Sequence, residues 1–405
     1  MTTKLLHLDL DKDRIYGLDY LRFWAIMLVL ISHGRWILRP IFGDIEFMSI
    51  GGFWGVELFF VLSGFLIGGI LIRIFEREKR FDFEVIVGFW KRRWFRTLPN
   101  YYLIFFLNAL LAIVFAKFVY NDIRYYAFLL FLQNFFTEHP HFFEEAWSLA
   151  VEEWFYLSFP VFLIFVNRFK GKTDSKKITV IKSILFLLLL SLLLKILVVS
   201  YQNPNWDTGI RKIVPLRLDS VLTGVFFAWI KYYYVDFYRK YTKAMLCLAV
   251  FLLIVSAFYY YTDIIQDGLE NTSWFSKTFI FTITSLGFAL LLPYYSETEL
   301  GKPKGFFRKA VTKISLVSYS AYLIHFSFVL LGLSRISKWN NTILFSLALY
   351  LFYFGITFFF SILLYKFYER PMTDLRDYSP NSKGFKQVRD YAVRSRQLIK
   401  KSFSN

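Results

Sequence analysis

Long apolar blocks separated by short polar breaks run the length of the chain. Most blocks approach or exceed the roughly 20 residues that a helix needs to cross a bilayer core. Spans are predicted over 17–38, 53–72, 99–117, 147–167, 180–200, 216–233, 243–261, 277–294, 315–334 and 342–365. The stretch 125–136 is too short to cross and is expected to lie in the interface or re-enter. The pattern predicts an all-α, polytopic transmembrane helical bundle of about ten spans plus that one non-spanning segment. A polar segment over 1–16 would precede the membrane domain of 17–366, and a basic tail over 367–405 would follow it.

Charge then sets a direction. The segment 73–96 carries Arg73, Arg77, Lys79, Arg80, Lys91, Arg92, Arg93 and Arg96, and is therefore expected to be cytoplasmic. The same rule assigns 168–182, 239–243, 302–313 and the tail after Lys366 to that side. These five assignments agree only if 125–136 does not cross, which places both termini in the cytoplasm. Asp263, Asp267 and Glu270 make an opposite loop acidic, whereas Arg211 and Lys212 run against the rule.

Composition agrees with a membrane protein, at 56% hydrophobic and 22% aromatic residues. The excess of 48 Lys+Arg over 30 Asp+Glu is thereby explained by topology, and no nucleic-acid partner is expected. A single cysteine, Cys247, excludes an intramolecular disulfide and a thiolate zinc cage, and packing is its expected role. No metal site is expected. The first sixteen residues, with Asp9, Asp11 and Asp13, lack the apolar core of a signal peptide, so the first span is expected to direct insertion.

Four constellations carry candidate chemistry. In the first span, Arg22 and His33 stand eleven positions apart, within about 20° of one helical face and about 16 Å along the axis, which aims both into one cavity. Asp19 lies one turn before Arg22 and can pair with it. Two readings are open: intramembrane ionisable residues mark functional paths, but Arg22 also suits a snorkelling anchor and His33 an interhelical hydrogen bond. In the second span, Gly55 and Gly64 allow close helix approach, while Glu57 and Ser63 supply polar atoms; Ser63 suits packing as well as nucleophilic chemistry.

The third constellation is Arg92, Arg93 and Arg96 at the entrance to the third span, spaced so that Arg92 and Arg96, or Arg93 and Arg96, share a helical face. Guanidinium groups grip phosphates in bidentate fashion, as the phosphates of coenzyme A would require, but ordinary positive-inside anchoring also accounts for them. The fourth is Trp147, Ser148, Glu152 and Glu153, where carboxylates beside aromatic rings could orient a histidine, grip sugar hydroxyls, or form a plain interfacial belt. Arg217, Asp219, His325 and Glu369 are weaker candidates, each a polar residue in or beside a span. No internal repeat is evident, which argues mildly against a carrier built from inverted repeats.

The order and spacing of these blocks resemble the membrane acyltransferase family 3 over residues 14 to about 372. The matching motifs are Leu18-Asp19-x-Leu21-Arg22 with His33 eleven residues on, Gly55-Val56-x-Leu58-Phe59-Phe60-Val61-Leu62-Ser63-Gly64-Phe65, Arg92-Arg93-x-x-Arg96-x-x-Pro99, and Trp147-Ser148-Leu149-x-Val151-Glu152. Trp154 is bulkier than the pattern leads one to expect, and no hydrolase-like extracytoplasmic domain follows the spans, which points to single-domain members.

The resemblance implies transfer of an acyl group, most often acetyl from cytoplasmic acetyl-CoA, to hydroxyls of an envelope polysaccharide, glycolipid or small glycoside. Acyl-CoA is then a donor substrate, with no cofactor bound permanently, and the partners are the glycan acceptor and the bilayer of a bacterial cytoplasmic membrane. On this expectation Arg92, Arg93, Arg96 and Arg22 hold the donor, His33 is the general base, Glu152 orients it, and Arg217 and Asp219 position the acceptor. The alternative is a transporter or flippase that uses the same polar interior as a path.

Overall fold

The structure, a computed structural model, describes Leu8, Gly171 and residues 14–115, 123–169, 175–297, 305–337 and 342–377. Among these residues regular structure is helical throughout, as the apolar blocks require. The longer helices are α1 (Tyr16–Phe42), α2 (Ser49–Arg77), α3 (Phe83–Phe115), α4 (Ala146–Arg168), α5 (Lys176–Gln202), α6 (Val214–Tyr233), α7 (Thr242–Tyr259), α8 (Ile280–Glu297), α9 (Phe306–Leu316), α10 (Ser318–Ile324) and α11 (Ile343–Leu364).

Over its described residues each predicted span falls on helix, yet the count of ten is not reached on length and apolarity. Seven helices are long and apolar enough to cross a bilayer, or eight if one bent pair counts as a single span. α6 and α8 fall outside that set. In α6 the reason is chemical: Arg217, Asp219 and Lys231 lower its apolarity, and the first two are buried within the protein. The bent pair replaces the predicted continuous span 315–334. α9 meets the following helix at 58°, and α10 passes at His325 into a π-helical stretch, His325–Leu330. Of the predicted non-spanning segment, Ile123–Leu130 forms a 3-10 helix, and the chain from 131 to 145 is largely irregular. Residues 1–7, 9–13 and 378–405, which hold most of the two expected terminal segments, lie outside the described residues.

α2 is the central element, packed chiefly on α6 and α1. Glycine makes this possible. A Cβ on Gly64 would collide with the Val221 carbonyl of α6, and one on Gly224 with the Val61 carbonyl of α2, so the two backbones touch at reciprocal positions. Gly55 likewise faces α1, where a Cβ would come 2.6 Å from the Ala25 carbonyl. With α1, α2 and α6 held this close, their remaining polar side chains have no lipid to face and must meet one another.

Candidate functional site

Two cavities enter the bundle from opposite ends. The first, of about 300 Å³, lies where α1 begins and α2 ends, and is lined by Arg22, Arg73, Arg93, Arg96 and Glu152 against an apolar wall from α2 that includes Phe59 and Leu66. The second, of about 390 Å³, lies where α1 ends and α2 begins, and is lined by His33, Arg35, Trp147, Trp206, Arg211 and Lys212 among others. Val56 and Tyr322 line both.

Four guanidinium groups converge on the first cavity. Arg22 has a longer-range pair with Asp19, at 3.8 Å, while Asp19 is held more closely by Arg14 and accepts from Ser315 Oγ at 2.8 Å. Arg73, Arg93 and Arg96 have no carboxylate within ion-pair distance among the described residues. Such a set has positive charge to spare for an anion. Arg92 departs from the expectation: it is exposed and does not line the cavity, whereas Arg73, on α2, does.

Glu152 also belongs here. Tyr156 Oη donates to its Oε2 at 3.0 Å and is hydrogen-bonded in turn to Ser63 Oγ, giving a serine, tyrosine and carboxylate chain along the wall. The expectation that Glu152 orients His33 is therefore not met. α4 starts at Ala146, so Glu152 sits nearly two turns inside it, on the arginine side of the partition. Glu153 is buried as well. Ser148 lines the same cavity and is 2.6 Å from Tyr322 Oη.

Arg22 and His33 share a helical face as their spacing predicts, but they do not share a cavity. Just over three turns separate them, and the partition falls between. His33 instead meets His325: Nδ1 of the first lies 2.8 Å from Nε2 of the second, and His325 Nδ1 lies 2.7 Å from the Tyr322 carbonyl. His33 Nε2 has no hydrogen-bond partner among the described residues, and Gly52 leaves room beside it, since a Cβ there would stand 3.7 Å from Nε2.

Around this ring the second cavity combines aromatic faces with paired charges. Arg211 reaches Asp207 at 2.7 Å, and Lys212 reaches it at 2.9 Å. Burial alone would raise the Asp207 carboxyl, but these two cations hold it down at about 2. The Arg211 guanidinium lies 5.0 Å over the ring of Trp147, which lines the same cavity. Arg211 and Lys212, anomalous by the charge rule, thus line a cavity and neutralise a neighbouring acid. The Trp206 indole N–H and Arg211 Nε are buried without hydrogen-bond partners among the described residues.

Glu57, Arg217 and Asp219 line neither cavity. All are buried, and Arg217 is paired with Glu57. Lys195 of α5 completes the group by reaching Asp219 Oδ2 at 2.5 Å, and Ser220 Oγ donates to Glu57 at 2.8 Å. Two cations balance two anions in the core, so the acceptor-positioning role expected of Arg217 and Asp219 gives way to packing of α2, α5 and α6. Arg217 does touch the site indirectly, donating to the Arg211 carbonyl at 3.2 Å. Lys195 was legible as a lone lysine in a run of leucines, the usual mark of a buried partner. Tyr156 and Tyr322 carried no such mark. No group of three or more His, Cys, Asp or Glu suited to a metal occurs among the described residues.

An all-α bundle with two polar cavities meeting at one partition accords with an integral-membrane acyltransferase, and residues 15–366 match the acyltransferase domain family, to which this chain belongs. Among curated proteins it is similar to a putative peptidoglycan O-acetyltransferase of Bacillus subtilis, with 34% identity over 37% of this chain and 24% of the relative. It is also similar to the O-acetyltransferase OatA of Staphylococcus aureus, with 28% identity over 53% of this chain and 34% of the relative. The peptidoglycan O-acetyltransferase OatA of Listeria monocytogenes is 28% identical over 38% of this chain and 25% of the relative. The match thus spans about a quarter to a third of the length of these relatives. No solved structure matches.

Proposed function

We propose that this chain is an O-acyltransferase that moves an acyl group, acetyl in the simplest case, from coenzyme A to a hydroxyl of an envelope glycan. One observation carries the reading. The Nε2 of His33, without a hydrogen-bond partner among the described residues, and a cluster of four arginines, three of them without an ion pair among those residues, approach a common partition, Val56 and Tyr322, from opposite ends. The arginine cavity opens at the end of α2 that holds Arg77 and is followed by Lys79 and Arg80, the cytoplasmic end by the positive-inside rule, where coenzyme A is found. Arg73, Arg93, Arg96 and Arg22 would hold its phosphates, with the pantetheine arm along Phe59 and Leu66.

On the other side a glycan hydroxyl would enter between the aromatic rings and paired charges. His33 Nε2 takes the hydroxyl proton as the oxygen attacks the thioester carbonyl. The carbon–sulfur bond then breaks, and His33 returns the proton to the leaving thiolate. The names of the relatives support a cell-wall glycan as acceptor. Neither the cavity pair nor the family favours the transporter alternative.

The test uses purified protein in bilayers with labelled acetyl-CoA and cell-wall acceptor. His33→Ala is expected to lower transfer by about 10² to 10⁴, the contribution of a general base, while binding acetyl-CoA normally. Arg93→Ala is expected to lose saturable donor binding. Wild-type turnover by the His33 variant would remove that residue from the chemistry, and undiminished donor binding by the Arg93 variant would remove the arginine cavity from the donor site.

A further inference from the structure

We propose that His325 is a positioning residue that fixes the tautomer of His33, keeping the proton on Nδ1 so that Nε2 is the bare nitrogen facing the acceptor cavity. The inference rests on the reading of His33 as the base and names the device that makes one of its two nitrogens basic.

The direction of each hydrogen bond follows from what its atoms can do. A backbone carbonyl only accepts, so the 2.7 Å contact between His325 Nδ1 and the Tyr322 carbonyl requires the proton on Nδ1. His325 is fully buried, and no carboxylate is bonded to its ring among the described residues, so a second proton there would be an uncompensated buried charge. A neutral His325 with its proton on Nδ1 has a lone pair on Nε2. That nitrogen is 2.8 Å from His33 Nδ1 and can only accept, so His33 donates from Nδ1. Neutral His33 then has no proton left for Nε2.

Ring geometry agrees. The two imidazole planes differ by 3°, their centroids are 5.0 Å apart and their nitrogens only 2.8 Å, which is the arrangement of coplanar rings joined edge to edge. Nitrogen lone pairs and N–H bonds lie in the ring plane, so this contact is a directed hydrogen bond and not a face-to-face stack.

The acceptor itself is held from both sides. The Tyr322 hydroxyl is tied to Ser148 at 2.6 Å, and its carbonyl receives His325. Two residues beyond His325, the Ser327 N–H and hydroxyl both donate to Glu145, at 2.8 and 2.7 Å, which pins the π-helical stretch that begins at His325. The chain from the Tyr322 carbonyl through His325 to His33 therefore has one proton order and a fixed frame.

The experiment combines nitrogen NMR with kinetics on the full chain in bilayers. The sequence has five histidines, so histidine-specific 15N labelling gives a spectrum simple enough to assign with a His33→Gln sample. The expected wild-type result is His33 protonated at Nδ1 and bare at Nε2. His325→Phe, which keeps a flat ring but removes both nitrogens, is expected to give His33 a mixture of tautomers. Its kcat should fall by about 10²-fold, the low end of a general-base contribution, with the donor KM unchanged. His325→Gln, whose amide can accept from His33, should recover part of that loss.

A wild-type spectrum with the proton on His33 Nε2 would overturn the proposal, as would a His325→Phe protein that keeps the single wild-type tautomer. Equal impairment of the Phe and Gln variants would overturn it too, since a purely structural role predicts that result. Failure of the base assignment is separate: it would appear as activity in His33→Ala, whatever the NMR spectrum shows.

Discussion

Gly52 stands beside the bare nitrogen of His33, and its missing side chain is what leaves that nitrogen approachable. A Cβ there would fall 2.8 Å from Ser32 Oγ and 3.7 Å from His33 Nε2, so Ser32 would have to turn and the space for an acceptor oxygen would shrink. Overpacking of this kind costs about 1–3 kcal/mol where it is resisted. Gly52→Ala is therefore expected to raise the acceptor KM and lower kcat while leaving acetyl-CoA binding unchanged, which steady-state kinetics with each substrate varied in turn would check. At this scale the sequence was informative about identity and poor about company. Arg22, His33 and Glu152 were visible because ionisable residues in apolar runs are conspicuous. That Arg22 and Glu152 share one cavity while His33 pairs with His325 depends on neighbours 130 to 292 positions away in the chain, which helical spacing does not encode.

Among the elements, α5 and α6 are joined by a bond whose meaning is structural. Lys195 and Asp219 are both buried, and removing either leaves the other charged in the core. Breaking such a pair costs about 3–5 kcal/mol, whereas replacing both partners with apolar residues of similar volume is often neutral. Lys195→Met is thus expected to destabilise the folded protein strongly, and Lys195→Met combined with Asp219→Leu to recover much of that stability. Thermal unfolding in detergent would show the difference, and equal loss in the single and double variants would contradict the pairing. The same element scale shows what hydropathy could and could not give. It located the helices because lipid requires continuous apolar length, and the stretch it judged too short to cross contains no long helix among the described residues. It did not foresee the 58° bend beside α10 or the π turn at His325, because both are backbone events within a run that remains apolar.

For the whole molecule, the two cavities define a direction through the bundle that charge alone predicts. Asp44 and Lys79 flank the two ends of α2 and are both exposed. In a Cys247→Ser background, a cysteine replacing Asp44 is expected to react with an impermeant maleimide from outside intact cells. One replacing Lys79 should react only after permeabilisation. Labelling in the reverse pattern would invert the assignment of donor and acceptor sides. The total charge of +18 was legible from the outset, but its partition into a loop-side surplus, a paired core and an arginine cavity required the fold.

The shared wall of Val56 and Tyr322 also has an electrical consequence. Two polar cavities that reach toward one layer of side chains shorten the insulating path, so the membrane voltage falls more steeply over that layer than over bare lipid. Each elementary charge carried across the full voltage exchanges about 2.3 kcal/mol per 100 mV. In the proposed reaction the acyl group leaves its bonding pair on sulfur and so moves as one formal positive charge toward the acceptor. The hydroxyl proton that His33 hands to the thiolate moves one positive charge the other way, and the anionic carrier stays on its own side. The transfer is then electrically silent, and an energised membrane neither drives it nor opposes it.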